Sequence, residues 1–392
     1  MKLGKKGFAL HEVFIIEGVR SPIGKVKGAF SQVHPNDLAS YVMQSLFEKT
    51  QIPAEDAELV VFGCMNMIGE QSLNIGRNAW LSGGLPIHVP AVSMDYQGGS
   101  GLQAINTAAG LIQTGQYHLI VAGGVENLSR VPFGSGPSHY GNPISDSWVS
   151  QHQSVHPGYS AELVAEKYGY TRRDLDHFAY QSHLKAARAR KEGRFAKEIV
   201  PYQLSDGRYI EHDECIRENV QFEKMTTLST PFKEDGVVTA ANCSALGDGS
   251  AALLLASKAY IEKHNIQPRA KIVSQGVAGV DPTLMLMGTV PSTTKALHAR
   301  GLSIQDIDVF EINESFASAL LGWMEELDVE EKKVNPNGGS IALGDPVGAT
   351  GVRLILSLLN QMEHRDLEIG AATINCGGGM GVTTIIDCNV SL

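Results

Sequence analysis

Four short stretches of this 392-residue chain set chemistry-bearing residues beside glycine turns, each directly after a strand-like run. Gly98-Gly99-Ser100-Gly101-Leu102-Gln103-Ala104 follows Ala91-Val92-Ser93-Met94-Asp95-Tyr96 and opens an apolar helix through Leu102, Ile105, Ala109 and Ile112. Backbone N–H groups at a helix start favour negative charge, so such a turn can hold a developing oxyanion. Asn313-Glu314-Ser315-Phe316 follows Val309-Phe310-Glu311-Ile312, and a glycine-rich run from Asn337 to Gly351 carries Asp345. Asn375-Cys376-Gly377-Gly378-Gly379-Met380-Gly381 places a thiol beside a glycine turn. A free thiol has a pKa of about 8.5 and needs local positive charge or hydrogen bonds to serve as a base. Open α/β sheets gather ligands at their strand ends, so the four stretches predict one common site.

Each stretch also has a plainer reading. Gly99-Ser100-Gly101-Leu102-Gln103-Ala104 fits the dinucleotide fingerprint G-x-G-x-x-A, with Glu126 available as the acidic ribose partner, but that leaves the other stretches without a purpose. A cysteine on an apolar strand is often inert core, and an asparagine before a helix is often only its cap. Tyr96 reads either as an aromatic packing on the core or as a proton donor beside the glycine turn.

The elements that must position these residues alternate in type. Val13–Ile16, Leu59–Phe62 and Leu119–Ala122 read as buried strands, with helices from Leu38 to Lys49 and after Gly101 between them. Strands return at Ala270–Ser274, Ile307–Ile312, Ala371–Ile374 and Thr383–Ile386, which predicts an α/β core covered by helices. From about 127 to 236 the polar fraction rises, predicting an insertion that carries helices from Ala161 to Tyr168 and Arg172 to Glu192. The two halves echo each other in element order, which predicts an internal duplication.

Composition narrows the function classes. A net charge of -10 lacks the basic footprint of a nucleic-acid binder. The five cysteines are scattered without CxxC spacing, which predicts reduced thiols, no zinc site and a cytoplasmic protein. The start Met1-Lys2-Leu3-Gly4-Lys5-Lys6 is basic but leads into no long apolar run, and no membrane span is expected.

In order and wording, the stretches resemble the thiolase family over essentially the whole chain. Gly18-Val19-Arg20-Ser21-Pro22-Ile23-Gly24-Lys25 is similar to the family's N-terminal strand and turn. Gly123-Gly124-Val125-Glu126-Asn127-Leu128-Ser129 resembles its Gly-Gly-Met-Glu-Ser-Met-Ser segment. His156-Pro157-Gly158-Tyr159-Ser160-Ala161-Glu162 resembles His-Met-Gly-x-Thr-Ala-Glu, and Gly236 to Ser244 resembles Gly-Thr-Val-Thr-Ala-Gly-Asn-Ala-Ser. The resemblance implies a layered α/β/α/β/α fold made of two duplicated βαβαβ-type halves. It places an N-terminal domain at 10–257, including the inserted loop region, and a C-terminal domain at 268–392.

Thiolases make or break a carbon–carbon bond beside a thioester carbonyl, passing the acyl group through a cysteine. By resemblance, Asn313 holds the water of one oxyanion site and Cys376 takes a proton from the α-carbon of the incoming acyl-CoA. The N–H groups of Gly98 and Gly378 form the other oxyanion site. Ser244 and His156 contact pantetheine and substrate, and Arg217 lies beside the CoA nucleotide. Two departures coincide: Gly98 stands where the family has its nucleophilic cysteine, and Asp345 where it has the Gly-His-Pro histidine. Covalent catalysis needs both a nucleophile and its base.

The expectation is therefore acyl-CoA chemistry at the carbon beside the thioester without an acyl-cysteine, with CoA entering only as substrate and no separate cofactor or metal. Aldol or retro-aldol chemistry on a β-hydroxyacyl-CoA is one alternative. Acyl transfer through another thiol, Cys376 first, is a second, and a non-catalytic CoA-binding subunit is a third. Resemblance further implies a homodimer or homotetramer, with a small accessory subunit as a further partner.

Overall fold

The computed structural model describes residues 10–390. The basic start Met1–Lys6 and the final two residues of the expected C-terminal domain lie outside that range. Nine strands carry the main sheet: β1 (Val13–Arg20), β2 (Leu59–Gly63), β3 (Ala91–Met94), β4 (Leu119–Asn127), β5 (Gly247–Ser257), β6 (Ala270–Gly279), β7 (Val309–Ile312), β8 (Ile369–Cys376) and β9 (Met380–Asp387). Their spatial order is β7-β8-β9-β6-β1-β5-β4-β2-β3, with the short Gly24–Lys25 strand paired to β5. The expected strands are all present, most of them longer than the apolar run that announced them.

The order contains the duplication. In one half β2 pairs β4 in parallel, β4 pairs β5 antiparallel and β5 pairs β1 antiparallel. In the other, β7 pairs β8 in parallel, β8 pairs β9 antiparallel and β9 pairs β6 antiparallel. The halves meet along only two residue pairs, Phe14↔Lys271 and Ile15↔Ala270.

Five layers result. Helices α1 (Pro35–Thr50) and α2 (Ile75–Ser82) cover the outer face of the first half. Helix α3 (Ser100–Gln113) enters the centre with the long C-terminal helix, whose apolar residues Val352, Ile355 and Leu359 join Leu102 and Ile105 in one core. That core takes side chains from both half-sheets, Val61 and Leu253 from one and Ile374 and Val382 from the other. On the outer face of the second half lie α4 (Pro157–Tyr168) and α5 (Arg172–Lys191) from the insertion, with α6 (Thr289–His298) and α7 (Ala317–Leu327). The long C-terminal helix is α8 (Val347–Arg365).

The two central helices cross closely because glycines face each other. A Cβ on Gly351 would fall 2.2 Å from the Leu102 nitrogen, and one on Gly101 would fall 2.7 Å from the Gly348 oxygen. This crossing brings the N-termini of α3 and α8, and hence Gly98 and Asp345, to the same end of the molecule. Among the described residues, no helix is long and apolar enough to cross a membrane.

Candidate active site

The Gly98 turn is fixed by its own side chains. Ser100 accepts a hydrogen bond from the Tyr96 N–H at 2.8 Å and donates to the Gln97 carbonyl at 2.6 Å, while Gln97 takes φ of 52°. Gly98 emerges on the wall of a cavity of about 240 Å³ with Met65, Phe133, His156, Phe232, Cys243, Ser244, Asn313, Asp345, Asn375 and Gly377 among its lining. A Cβ on Gly98 would stand 3.0 Å from the Asn375 carbonyl oxygen and 3.9 Å from Val347, so the position is narrow but not filled.

Asp345 sits just before α8 after Gly344, whose φ of 105° only glycine adopts freely. The residue is 4% exposed. Oδ1 accepts from Thr350 Oγ1 at 2.5 Å and Oδ2 faces Asn313 Nδ2 at 3.5 Å. Asn313 is held from the other side, because Ser340 Oγ donates to its Oδ1 at 2.6 Å and Arg353 Nη2 donates to Ser340 Oγ at 2.8 Å. Arginine can only donate, so this chain fixes the Asn313 amide with its NH2 toward Asp345 and the cavity.

His156 caps the start of α4 by accepting the Gly158 N–H on Nδ1 at 3.0 Å, and its ring stacks on Phe232 at 5.1 Å. Burial lowers its pKa, so the neutral ring carries its proton on Nε2. Ser244 is tied to the loop after β7 by donating its N–H to the Ser315 carbonyl at 2.9 Å. Arg217 lies in an adjoining groove of about 460 Å³ with Lys25 and His183, which meets the cavity at Leu246. Burial and the nearby Arg217 push His183 down to about 4.

The structure thus brings Gly98, His156, Ser244, Asn313 and Asp345 to one cavity and sets Arg217 next door. It does not bring Cys376 or Gly378 to the wall. Cys376 is 1% exposed and belongs to the central core with Ile374 and Ala372. Burial pushes its thiol up to about 12, with Asp95 adding to the shift, and Asp345 is not among the causes. Asp345 acts instead on Cys243, whose thiol is pushed up to about 11 by burial and by that carboxylate. Gly378 stands in the left-handed hairpin turn at φ 76°, off the lining.

The neighbours Asn375 and Gly377 occupy the wall where Cys376 and Gly378 were expected. A strand alternates its faces, and the apolar sequence Ala372, Ile374, Cys376 on β8 already marks the core face, leaving Asn375 to the other side. Cys243 is a third residue missed, a half-buried thiol on the cavity wall.

Two plainer readings resolve as well. Tyr96 packs against the central core, and burial raises its pKa. Glu126 is fully buried and accepts the N–H groups of Met65, Asn66 and Gly348 and the side chain of Gln71. Its oxygens cap α8 rather than await a ribose, so the dinucleotide reading lapses.

Known proteins agree with this architecture. The thiolase N-terminal domain model matches residues 13–259 and the thiolase C-terminal domain model matches 266–388. A steroid 3-ketoacyl-CoA thiolase of Mycobacterium tuberculosis is 38% identical over 97% of this chain and 95% of its own length. A β-ketoadipyl-CoA thiolase of Pseudomonas aeruginosa is 39% identical over 96% of this chain and 99% of its own. The crystal structure of the Bacillus anthracis acetyl-CoA acetyltransferase superposes with a TM-score of 0.90 at 36% identity, covering 97% of this chain and 100% of that one. With both halves matched and relatives covered over almost their whole length, the chain belongs to the thiolase family.

Proposed function

We propose that the protein acts on an acyl-CoA thioester, making or breaking the carbon–carbon bond beside the carbonyl without an acyl-cysteine, and that Asp345 is its general base. The observation that carries this reading is the cavity wall itself. Gly98 and Asp345 line the same cavity, and among the described residues Asp345 is the only carboxylate on that lining, held between Thr350 and Asn313.

A carboxylate at that position suits an aldol-type reaction on a β-hydroxyacyl-CoA. Asp345 takes the β-hydroxyl proton, the Cα–Cβ bond breaks, and its electrons move into the thioester as an enolate while an aldehyde or ketone leaves. The carboxyl proton then returns to the α-carbon, giving the shortened acyl-CoA. Atoms and charge balance with Asp345 alone, and the steps use no group besides the CoA that the substrate carries. A protonated Asp345 beside the enolate keeps only one negative charge in the cavity. Arg217 and Lys25 supply the cations suited to the CoA phosphates in the adjoining groove, and His156 and Ser244 line the cavity that groove meets at Leu246.

Incubation with 3-hydroxyacyl-CoA esters, followed by mass spectrometry, is expected to yield a shorter acyl-CoA and a carbonyl compound. The absence of any such product, in either direction and across short and medium chains, rejects the aldol reading. One observation favours a second reading, acyl transfer through Cys243, because that thiol is on the wall. A labelled acetyl group retained on the protein and lost in Cys243→Ala would establish it.

A homodimer joined through β3 fits the same reading. This edge strand leaves one row of backbone groups unpaired and lies near the exposed apolar residues Leu73, Leu81, Ile87 and Val92. Light scattering should give the mass of a dimer for the natural chain and of a monomer for Val92→Arg; an unchanged dimer rejects this interface.

A further inference from the structure

We propose that Asn375 and Asn313 form a paired carboxamide site that binds the thioester oxygen and stabilises the enolate. This rests on the acyl-CoA reading above and assigns a catalytic role to a residue that reading does not use.

The two asparagines stand at the ends of neighbouring parallel strands. Ile312 pairs Thr373 in register, and the Asn313 N–H donates to the Thr373 carbonyl at 3.0 Å, so the chain leaving β7 runs beside the end of β8. Each amide is oriented by a serine. Ser340 Oγ donates to Asn313 Oδ1 at 2.6 Å, and Ser315 Oγ donates to Asn375 Oδ1 at 2.9 Å. With both amide oxygens occupied, both NH2 groups turn to the cavity that the two residues line. Asn375 is 6% exposed and lines the cavity, and among the described residues its side chain is held only through Oδ1, so its NH2 is free to donate to a ligand there.

The chemistry of the pair suits Asp345. Carboxamides donate without carrying charge, so they strengthen their bonds as negative charge builds on the thioester oxygen and never compete with Asp345 for the proton. A donor preorganised toward an oxyanion in a water-poor cavity is worth about 10²–10³ in rate. A buried thiol at the Asn375 position would donate weakly. Ser315 is a positioning residue, since it acts only through the direction in which the Asn375 amide points.

Infrared difference spectroscopy of bound acetyl-CoA, isotopically labelled at the thioester carbonyl, tests the pair without requiring turnover. In the natural protein the bound C=O band should move to lower frequency than in solution. Asn375→Ala should remove on the order of half of that displacement, and Ser315→Ala a smaller part, while calorimetry shows CoA itself binding within about twofold of the natural protein. The retained CoA binding separates loss of the donor from loss of the fold. In a cleavage assay, Asn375→Ala should lower kcat about 100-fold with KM little changed. An identical band in Asn375→Ala and the natural protein, or a natural band that stays at its solution frequency, overturns the proposal. A displaced, Asn375-dependent band with no carbon–carbon product from any ester leaves the donor pair standing and removes the aldol reading. Failure of acetyl-CoA to bind removes both.

Discussion

Asn375 and Cys376 are neighbours in sequence and stand on opposite sides of β8, the amide on the cavity wall and the thiol in the central core. The separation assigns their energetics. Burial holds Cys376 as a neutral thiol with its pKa near 12, so at neutral pH it has neither the ionisation nor the access of a base. Asn375 has the access and no ionisation, which limits it to hydrogen bonding.

Cys376→Ala should therefore behave as a core substitution. It leaves a small void among Ile374, Val382 and the start of α3 and is expected to cost on the order of 1 kcal/mol of stability, with kcat changed less than about twofold. Asp345→Asn should do the reverse, leaving the midpoint of unfolding close to the natural value and lowering kcat by about 10²–10⁴. Denaturant unfolding and turnover on the same preparations check both; a large kcat loss in Cys376→Ala would return that thiol to the mechanism.

Much of this was legible in the sequence. Apolar runs marked the strands of the main sheet except the longest, β5, while the glycine turns marked where strands end and the motif order marked the two halves. Gly98, Asn313 and Asp345 reach one cavity because each lies directly beyond a strand or before a central helix, a relationship that spacing carries. Cys376 was misplaced because residue type was weighed above strand parity. A cysteine attracts a chemical reading, but Ala372, Ile374 and Cys376 form the apolar row of β8 and their period of two assigns the thiol inward. Cys243 left no such mark, since it comes to the cavity by a bridge to Phe316 across 73 residues of chain, a contact no local pattern encodes. The serine locks on Asn313 and Asn375 were equally silent: Ser340 reaches Asn313 from the start of a separate short helix and Ser315 reaches Asn375 from a neighbouring strand end.

The pairing of Gly98 with Asp345 makes a prediction about restoring covalent chemistry. Gly98→Cys is sterically close to acceptable, since its Cβ needs the Asn375 carbonyl to yield by a few tenths of an ångström. The new thiol would share the cavity with the Asp345 carboxylate, and a nearby carboxylate raises a thiol pKa. Gly98→Cys alone should thus remain unmodified by acetyl-CoA, whereas Gly98→Cys with Asp345→His should gain one acetyl group. Intact mass measurement after timed incubation distinguishes them. Equal acetylation of the single and double variants would show that Asp345 is no obstacle to acyl capture.

Cys243 offers a direct probe of the cavity. Its thiol is pushed up to about 11, so at pH 7 only a small fraction is thiolate. Alkylation by iodoacetamide should quicken about tenfold per pH unit between pH 7 and 10. Acyl-CoA should protect the thiol if it fills the cavity that Cys243 lines. Asp345→Asn removes the charge that helps hold the pKa up, and should move the rate profile to lower pH. Peptide mapping of the labelled residue checks all three; labelling insensitive to acyl-CoA would mean the ester does not occupy this cavity.

Glu311 links the site to the pH dependence of stability. It is fully buried, one oxygen 3.4 Å from Arg353 Nη1 and the other without a partner, and burial pushes its carboxyl up to about 8. The folded state therefore holds this proton more tightly than the unfolded chain, whose glutamate titrates at about 4.3. The favourable contribution is complete below that value and is lost as the pH rises toward 8. Glu126, pushed up to about 7 by burial, acts in the same direction over the lower part of the window. Glu311→Gln keeps the shape and removes the titration, so its stability relative to the natural protein should improve steadily from pH 5 to pH 8. Because Arg353 also holds Ser340, and Ser340 holds Asn313, the variant should alter kcat more than KM. Urea unfolding across the pH range is the measurement, and a stability difference between the two proteins that stays constant with pH would show that Glu311 does not bind its proton more tightly on folding.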